Sequence, residues 1–321
     1  MKRLLFASLL LLLAGVLPAC QFDPGIVVCE DGSGTGASDT VPATLSQLHA
    51  QLGAPVQKLT YDPSRTNTFT GAKGTVITIP ANAFLKNGRV ITAPVQLSFR
   101  EIFSRADMVL SSMPTVSVGR LLESAGEVYL RADQDSSLQL AAGATIRLLT
   151  QNPANLASPD SMRLFVGNPG SGPGCFDWML NKDLGSSLSQ TGTGNLITIS
   201  SVLYNQGVGW LNCDRFYKAT ALTSLTVKVP GGDVDPTQNT MVFAVFRTFN
   251  GSLRVCDFKA PDTFTLLNVP DQLPISVVVI RTLNGKLYYG RQDGTVQPGT
   301  TFSPVVQQTT PAGLVAELNK L

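Results

Sequence analysis

Histidine is almost missing from this chain: 321 residues carry one, His49. A zinc site built from several imidazoles is thereby excluded, and any Ser-His or Cys-His catalytic pair would have to use that single ring as its base. Charge is scarce as well, with Asp, Glu, Lys and Arg at 14% against about 25% in an average soluble chain. There are two Trp and five Cys, and no Cys-x-x-Cys pair of the kind that holds zinc. No apolar run is long enough to cross ~30 Å of hydrocarbon as a helix. Glycine and proline, at 29 and 20 residues, are plentiful instead. Together these features read as a turn-rich, all-β chain long enough for two domains.

The N-terminus has the three parts of an export signal. Met1-Lys2-Arg3 is basic, and Leu4 to Val16 is an apolar run of thirteen residues. The run ends in Leu17-Pro18-Ala19-Cys20, which resembles the bacterial lipobox, with Pro18 in place of a small residue. The resemblance implies a lipoprotein signal over residues 1–19 and fatty acylation of Cys20, which becomes the mature N-terminus. Several acyl chains, at ~0.8 kcal/mol per buried CH2, would hold the protein at a membrane. Gln21 stands where an Asp would imply inner-membrane retention, so the expected address is the outer membrane, periplasmic or surface-facing. Removing Lys2 and Arg3 takes the formal charge from +2 to zero. A neutral mature chain has no electrostatic reason to bind nucleic acid.

Cys29, Cys175, Cys213 and Cys256 form an even set in an exported chain, which allows three pairings. A disulfide joining Cys175 to Cys213 or to Cys256 is favoured. The nearest two of the four, Cys175 and Cys213, are 38 positions apart, so no metal site is expected.

Residues 20–55 read as a flexible tether. Pro24-Gly25 and the run from Asp31 to Ser38 have linker composition, and that run lacks the Lys-Ser/Thr of a phosphate loop. Leu45, Leu48 and Leu52 have helical spacing, which predicts one short amphipathic helix over 44–52 with His49 on its polar side, outside any functional role.

Residues 56–150 alternate as strands. Thr75 to Ile79, Val95 to Phe99, Glu127 to Arg131, Ser137 to Leu140 and Thr145 to Leu148 are short, with turn signals at Gly71, Gly74, Asn87-Gly88 and Pro94. That spacing is typical of β-sandwiches. The stretch from Phe69 through Gly71, Gly74-Thr75-Val76-Ile77-Thr78-Ile79-Pro80 and Ala83-Phe84 resembles the opening of ZU-type β-sandwich domains, known from ankyrins and netrin receptors. Val95 to Phe103, Arg105 to Leu110 and Gly119 to Glu127 are similar to a group of largely uncharacterised Gram-negative surface lipoproteins with that domain. The resemblance covers about residues 66–131 and implies an interaction or scaffold module with no catalytic residue. Glu101, Glu123 and Glu127 are the glutamates of this unit, and a glycoside hydrolase would pair two of them across a cleft. With Arg100, Arg120 and Arg131 close in sequence, polar-face ion pairs are the expected role.

Residues 151–200 are rich in Pro, Gly and Ser and read as a loop-rich connection with one strand, Met162 to Val166. Residues 201–321 read as a second β-sandwich, with hairpin signals at Asn250-Gly251 and Asn284-Gly285 and a C-terminal helix capped by Thr310-Pro311. Asp233, Asp235 and Asn239 suggest a solvated loop, since the full oxygen spacing of a calcium site is lacking. Trp178 and Trp210 are the candidate ligand platform, with packing against a disulfide as the commoner role. Trp210 falls in Gly209-Trp210-Leu211-Asn212-Cys213-Asp214-Arg215-Phe216, which resembles a segment of the same lipoprotein group. The expected function is a non-catalytic structural or interaction module, lipid-anchored at the outer membrane or cell surface, with a protein or polysaccharide partner and no cofactor. A glycan-binding lipoprotein is the alternative and a glycoside hydrolase the third reading.

Overall fold

The computed structural model describes residues 40–132, 135–153, 156, 161–168 and 175–321. The expected signal, Cys20 and Cys29 lie outside these residues. Helix α1 (Leu45–Leu52) comes first, capped by the Thr44 hydroxyl on the Gln47 amide. Strands β1 (Gln57–Tyr61), β2 (Asn67–Thr70) and β3 (Val76–Ile79) follow, then the hairpin of β4 (Phe84–Lys86) and β5 (Arg89–Val90). Asn87 and Gly88 both have positive φ, at 51° and 73°, the geometry a two-residue turn between twisted strands requires. β6 (Val95–Ile102) runs into helix α2 (Arg105–Leu110), and β7 (Val116–Ser117) turns back into the long β8 (Arg120–Arg131). After them come β9 (Gln139–Leu140), β10 (Thr145–Gln151), β11 (Arg163–Gly167) and β12 (Trp178–Leu180). β13 (Ser187–Thr191), β14 (Gly194–Ser200), helix α3 (Ser201–Asn205) and β15 (Trp210–Phe216) complete the first unit.

The main sheet of this unit has the order β1-β6-β8-β15-β11-β12, and the facing sheet β13-β14-β10-β3-β2. Between them lie Ile77, Leu97, Phe99, Val128, Ile146, Leu148, Ile197 and Leu211, all essentially buried. The first sandwich therefore ends at Phe216 and not at 150. The expected loop-rich connection over 151–200 contributes four strands, and β15, assigned by sequence to the second sandwich, lies next to β8 in the first. Gly- and Ser-rich flanks concealed them: strands of three to seven residues show too few alternations to stand out between turn residues.

The second unit is β16 (Leu222–Lys228), β17 (Thr240–Phe246), β18 (Ser252–Arg254), β19 (Asp257–Lys259) and β20 (Thr263–Pro270), then β21 (Pro274–Leu283), β22 (Lys286–Thr295), β23 (Thr301–Phe302) and β24 (Gln307–Thr309). It is a second sandwich, β19-β20-β16-β23 against β18-β17-β21-β22-β24. β17 is buried at every position because its sheet is covered on both faces. Val242, Ala244 and Phe246 face the sandwich interior, while Met241, Phe243 and Val245 meet three helices. Those helices are α1, α2 and the C-terminal α4 (Pro311–Leu318), which bury Leu45 and Leu48, Val109 and Leu110, and Leu314 and Leu318. Residues 40–55 are thus no free tether: α1 is part of the second sandwich's outer layer.

Candidate functional site: a closed polar cluster at the joint

The outer face of the main sheet of the first sandwich is covered where the two units meet. Ile102, Leu122, Phe165 and Trp178 form an apolar patch there under Ala54, Met108 and Met113. Helix α2 serves both sides, since Met108 enters this patch while Ala106, Val109 and Leu110 pack on the second sandwich.

Beside the patch is a set of polar groups with no exposure: Ser124, Glu127, Asn212 and Asp214. A bulge in β8 puts them on one face. Asn212 lies across from Glu127 and Asp214 across from Ser124, so β8 spends three steps where β15 spends two. The extra residue falls at Ala125-Gly126, and Gly126 takes φ 133°, a conformation open to glycine. Without the bulge, positions 124 and 127 would point to opposite faces. A Cβ on Gly126 would lie 2.2 Å from the Phe103 ring, so glycine is required by space as well as by φ.

Within the cluster, Ser124 Oγ donates to Asn212 Oδ1 at 3.0 Å, and the Gly126 amide donates to Ser124 Oγ at 3.1 Å. Asn212 Nδ2 donates to Asp214 Oδ2 at 2.7 Å. Asp214 Oδ1 and both oxygens of Glu127 are buried without a hydrogen-bond partner. Burial, with Asp214 and Asp107 nearby, pushes the Glu127 carboxyl well above its usual range. Burial does the same to Asp214, against the hydrogen bond from Asn212 that pulls it down. Both are neutral acids by preference in these surroundings.

The second unit seals the cluster. Asn250 Nδ2 donates to the carbonyls of Phe103 and Ser124, each at 3.0 Å, and the Ser124 amide donates to the Asn250 carbonyl at 2.8 Å. Asn250-Gly251 is therefore no simple two-residue turn but a docking loop. Asn284-Gly285 does form such a turn, with φ 52° and 69°. A disulfide, Cys175–Cys256, ties the β11–β12 segment to the chain after β18, across the joint. Cys213 is a free thiol buried in the first core, and burial raises its pKa.

The other residues singled out by sequence have structural surroundings. Glu101 accepts from the Lys73 amide at 2.9 Å, the Thr75 amide at 3.1 Å and Gln57 Nε2 at 2.9 Å. It closes the β2–β3 turn, where a Cβ on Gly71 would meet its carboxylate at 2.5 Å, which accounts for the glycine at that position. Glu123 is paired with Arg215. Glu101 and Glu127 lie on opposite faces of the sheet: Glu101 turns to the β2–β3 side, and Glu127 sits beside Ile102 on the outer face. Trp178 presents no face to solvent, and its indole N–H donates to the Pro114 carbonyl at 2.9 Å. Trp210 is half-buried, with the Tyr129 ring 5.1 Å from its own and Arg100 above it. The Asp235 carboxylate is engaged by Thr237 and by the Gln238 amide inside its own loop. His49 Nδ1 bonds the Leu110 carbonyl at 2.8 Å, and burial lowers its pKa.

Two grooves open at the surface of the first sandwich. The larger, about 740 Å³, lies beside the β4–β5 hairpin, between Lys86, Arg89, Pro94 and Asp135. The smaller, about 330 Å³, lies at the β11–β12 edge near Arg163 and Asn181. Neither reaches a candidate glutamate. Sequence reasoning singled out Glu127 but missed Ser124, Asn212 and Asp214 as a group. One signal was available: an isolated Gly126 inside a strand, which marks a bulge.

These features define an all-β protein of two joined sandwiches. The chain matches no family model, no curated protein and no solved structure.

Proposed function

We propose that this chain is a lipid-anchored outer-membrane or cell-surface protein that acts as a non-catalytic structural or interaction module. The observation that supports this reading most is the joint: Asn250, helix α2 and the Cys175–Cys256 bond hold the two sandwiches together and close over the polar groups between them. Such an arrangement suits a body that presents surfaces at a fixed angle. Among the described residues, neither groove of the first sandwich reaches Glu101, Glu123 or Glu127, and Glu101 and Glu127 lie on opposite faces of the main sheet. The lipobox-like Leu17-Pro18-Ala19-Cys20 supplies the anchor, and the disulfide suits an oxidising compartment. Of the two tryptophans, only Trp210 is open to a glycan, since Trp178 is buried.

The test is metabolic fatty-acid labelling of wild type and Cys20→Ser, with proteolysis of intact cells. The expected result is label lost in the variant and wild-type protein open to added protease. Absence of label in both would overturn the anchor, and full protection of a labelled protein would place it facing the periplasm.

A further inference from the structure

The closed cluster juxtaposes a nucleophile, an electrophile and a proton carrier on two neighbouring strands. Ser124 on β8 donates its hydroxyl to the side-chain carbonyl of Asn212 on β15, and the carboxamide nitrogen of Asn212 donates in turn to Asp214. All three are fully buried, as is Glu127 across from Asn212. A serine-asparagine contact on its own is ordinary core satisfaction. Here it sits beside two fully buried carboxyls with unpartnered oxygens, and a half-satisfied acid in a dry interior is costly.

We propose that Ser124 and Asn212 form an intramolecular ester cross-link between β8 and β15, with Asp214 as the proton relay. Ser124 Oγ adds to Asn212 Cγ, forming the C–O bond, and its proton moves to Asn212 Oδ1, to which the hydroxyl already donates. The Asp214 carboxyl, which accepts from Asn212 Nδ2, delivers a proton to the amide nitrogen of the tetrahedral adduct and takes up the Oδ1 proton as the carbonyl reforms. The C–N bond then breaks, and one ammonia leaves. Hydroxyl plus carboxamide gives ester plus ammonia, and no oxidant, reductant or other reactant takes part.

Three features of the site favour the step. The Gly126 amide on Ser124 Oγ leaves the hydroxyl hydrogen directed at Asn212. A neutral carboxylic acid donates a proton and, once ionised, accepts one, so a single group serves both proton movements of ammonia departure. The Asn250 loop and the packed α2 keep bulk water away from the product, which preserves the ester once made. The reaction is a single maturation event, independent of where the protein is displayed. Its product would tie two central strands at the joint the second sandwich closes.

The experiment is intact-mass and peptide mass spectrometry of the full mature chain with the disulfide reduced. The expected wild-type mass is low by about 17 Da, the mass of one ammonia. Trypsin would release residues 121–131 and 183–215 as one joined species, separable by hydroxylamine. Ser124→Ala and Asp214→Asn would each restore the full mass and the two separate peptides. A folded wild-type protein at full mass after prolonged incubation at neutral pH overturns the proposal. So does a 17 Da deficit confined to one linear peptide, which is cyclisation of Asn or of an N-terminal Gln. The wild-type measurement alone decides between these outcomes, even if a variant fails to fold.

Discussion

Glu127 has no exposure and no hydrogen-bond partner for either oxygen, and Asp214 is close by. Its raised pKa ties stability to pH. The unfolded chain loses this proton near pH 4.3, about the free glutamate value, whereas the folded chain holds it to higher pH. The folded state therefore binds more protons in that window, and stability falls as pH rises through it. Glu127→Gln removes the ionisation and keeps the shape. Its urea midpoint is expected above wild type at pH 8, with the difference shrinking toward about pH 4. Equal midpoints at both pH values would show that Glu127 ionises freely. Cys213 is the second residue with a clear environment. In a Cys20→Ser, Cys29→Ser background, a thiol reagent is expected to miss Cys213 in the native oxidised protein and to label it after denaturation, because burial disfavours the thiolate.

At the scale of elements, the β8 bulge and helix α1 matter most. Gly126→Ala adds a methyl against the Phe103 ring and places alanine at φ 133°. The expected loss is on the order of 3 kcal/mol by chemical denaturation, and Phe103→Ala in the same chain is expected to cost less than additively. Additive losses would mean that the bulge relaxes elsewhere. Helix α1 was legible from Leu45, Leu48 and Leu52 at helical spacing, yet its role was not. Sequence placed it in a tether; the structure places Leu45 and Leu48 in the layer over β17 and β21. Leu48→Ala is expected to cost about 2–5 kcal/mol, the range for a buried leucine. A change near zero, the value for a helix riding free, would contradict the packing. Amphipathic spacing reports that a face is apolar, and what covers that face is a long-range matter.

For the whole molecule, the joint between the sandwiches is the feature to test. The Cys175–Cys256 bond closes a span of 81 residues, and its removal by Cys175→Ser with Cys256→Ser is expected to cost about 2–4 kcal/mol. Because the bond also ties the two units, limited proteolysis of the variant is expected to separate a fragment ending near Phe216 from the remainder. Unchanged proteolysis would show that Asn250, α2 and the aromatic stack of Tyr217 on Phe249 hold the joint without it. Two β-sandwiches were readable from the turn spacing; the boundary was not. Composition placed it at residue 150 because Pro, Gly and Ser cluster there, whereas pairing carries the first sandwich on to β15. The disulfide was narrowed to two partners for Cys175, and only the fold brought Cys256 within a Cα separation of 6.1 Å.

Local chemistry was within reach of the sequence alone. Period-two alternation and turn residues specify strands, Asn87-Gly88 and Asn284-Gly285 specify turns through their positive φ, and Thr310-Pro311 specifies a helix start. These are properties of neighbouring residues, written in adjacent letters. Which strands lie side by side, which cysteine meets Cys175, and why Ser124, Glu127, Asn212 and Asp214 share one sealed face were decided by the tertiary structure. Their contacts join residues some 90 positions apart through one bulge, and packing free energy over the whole core selects that register.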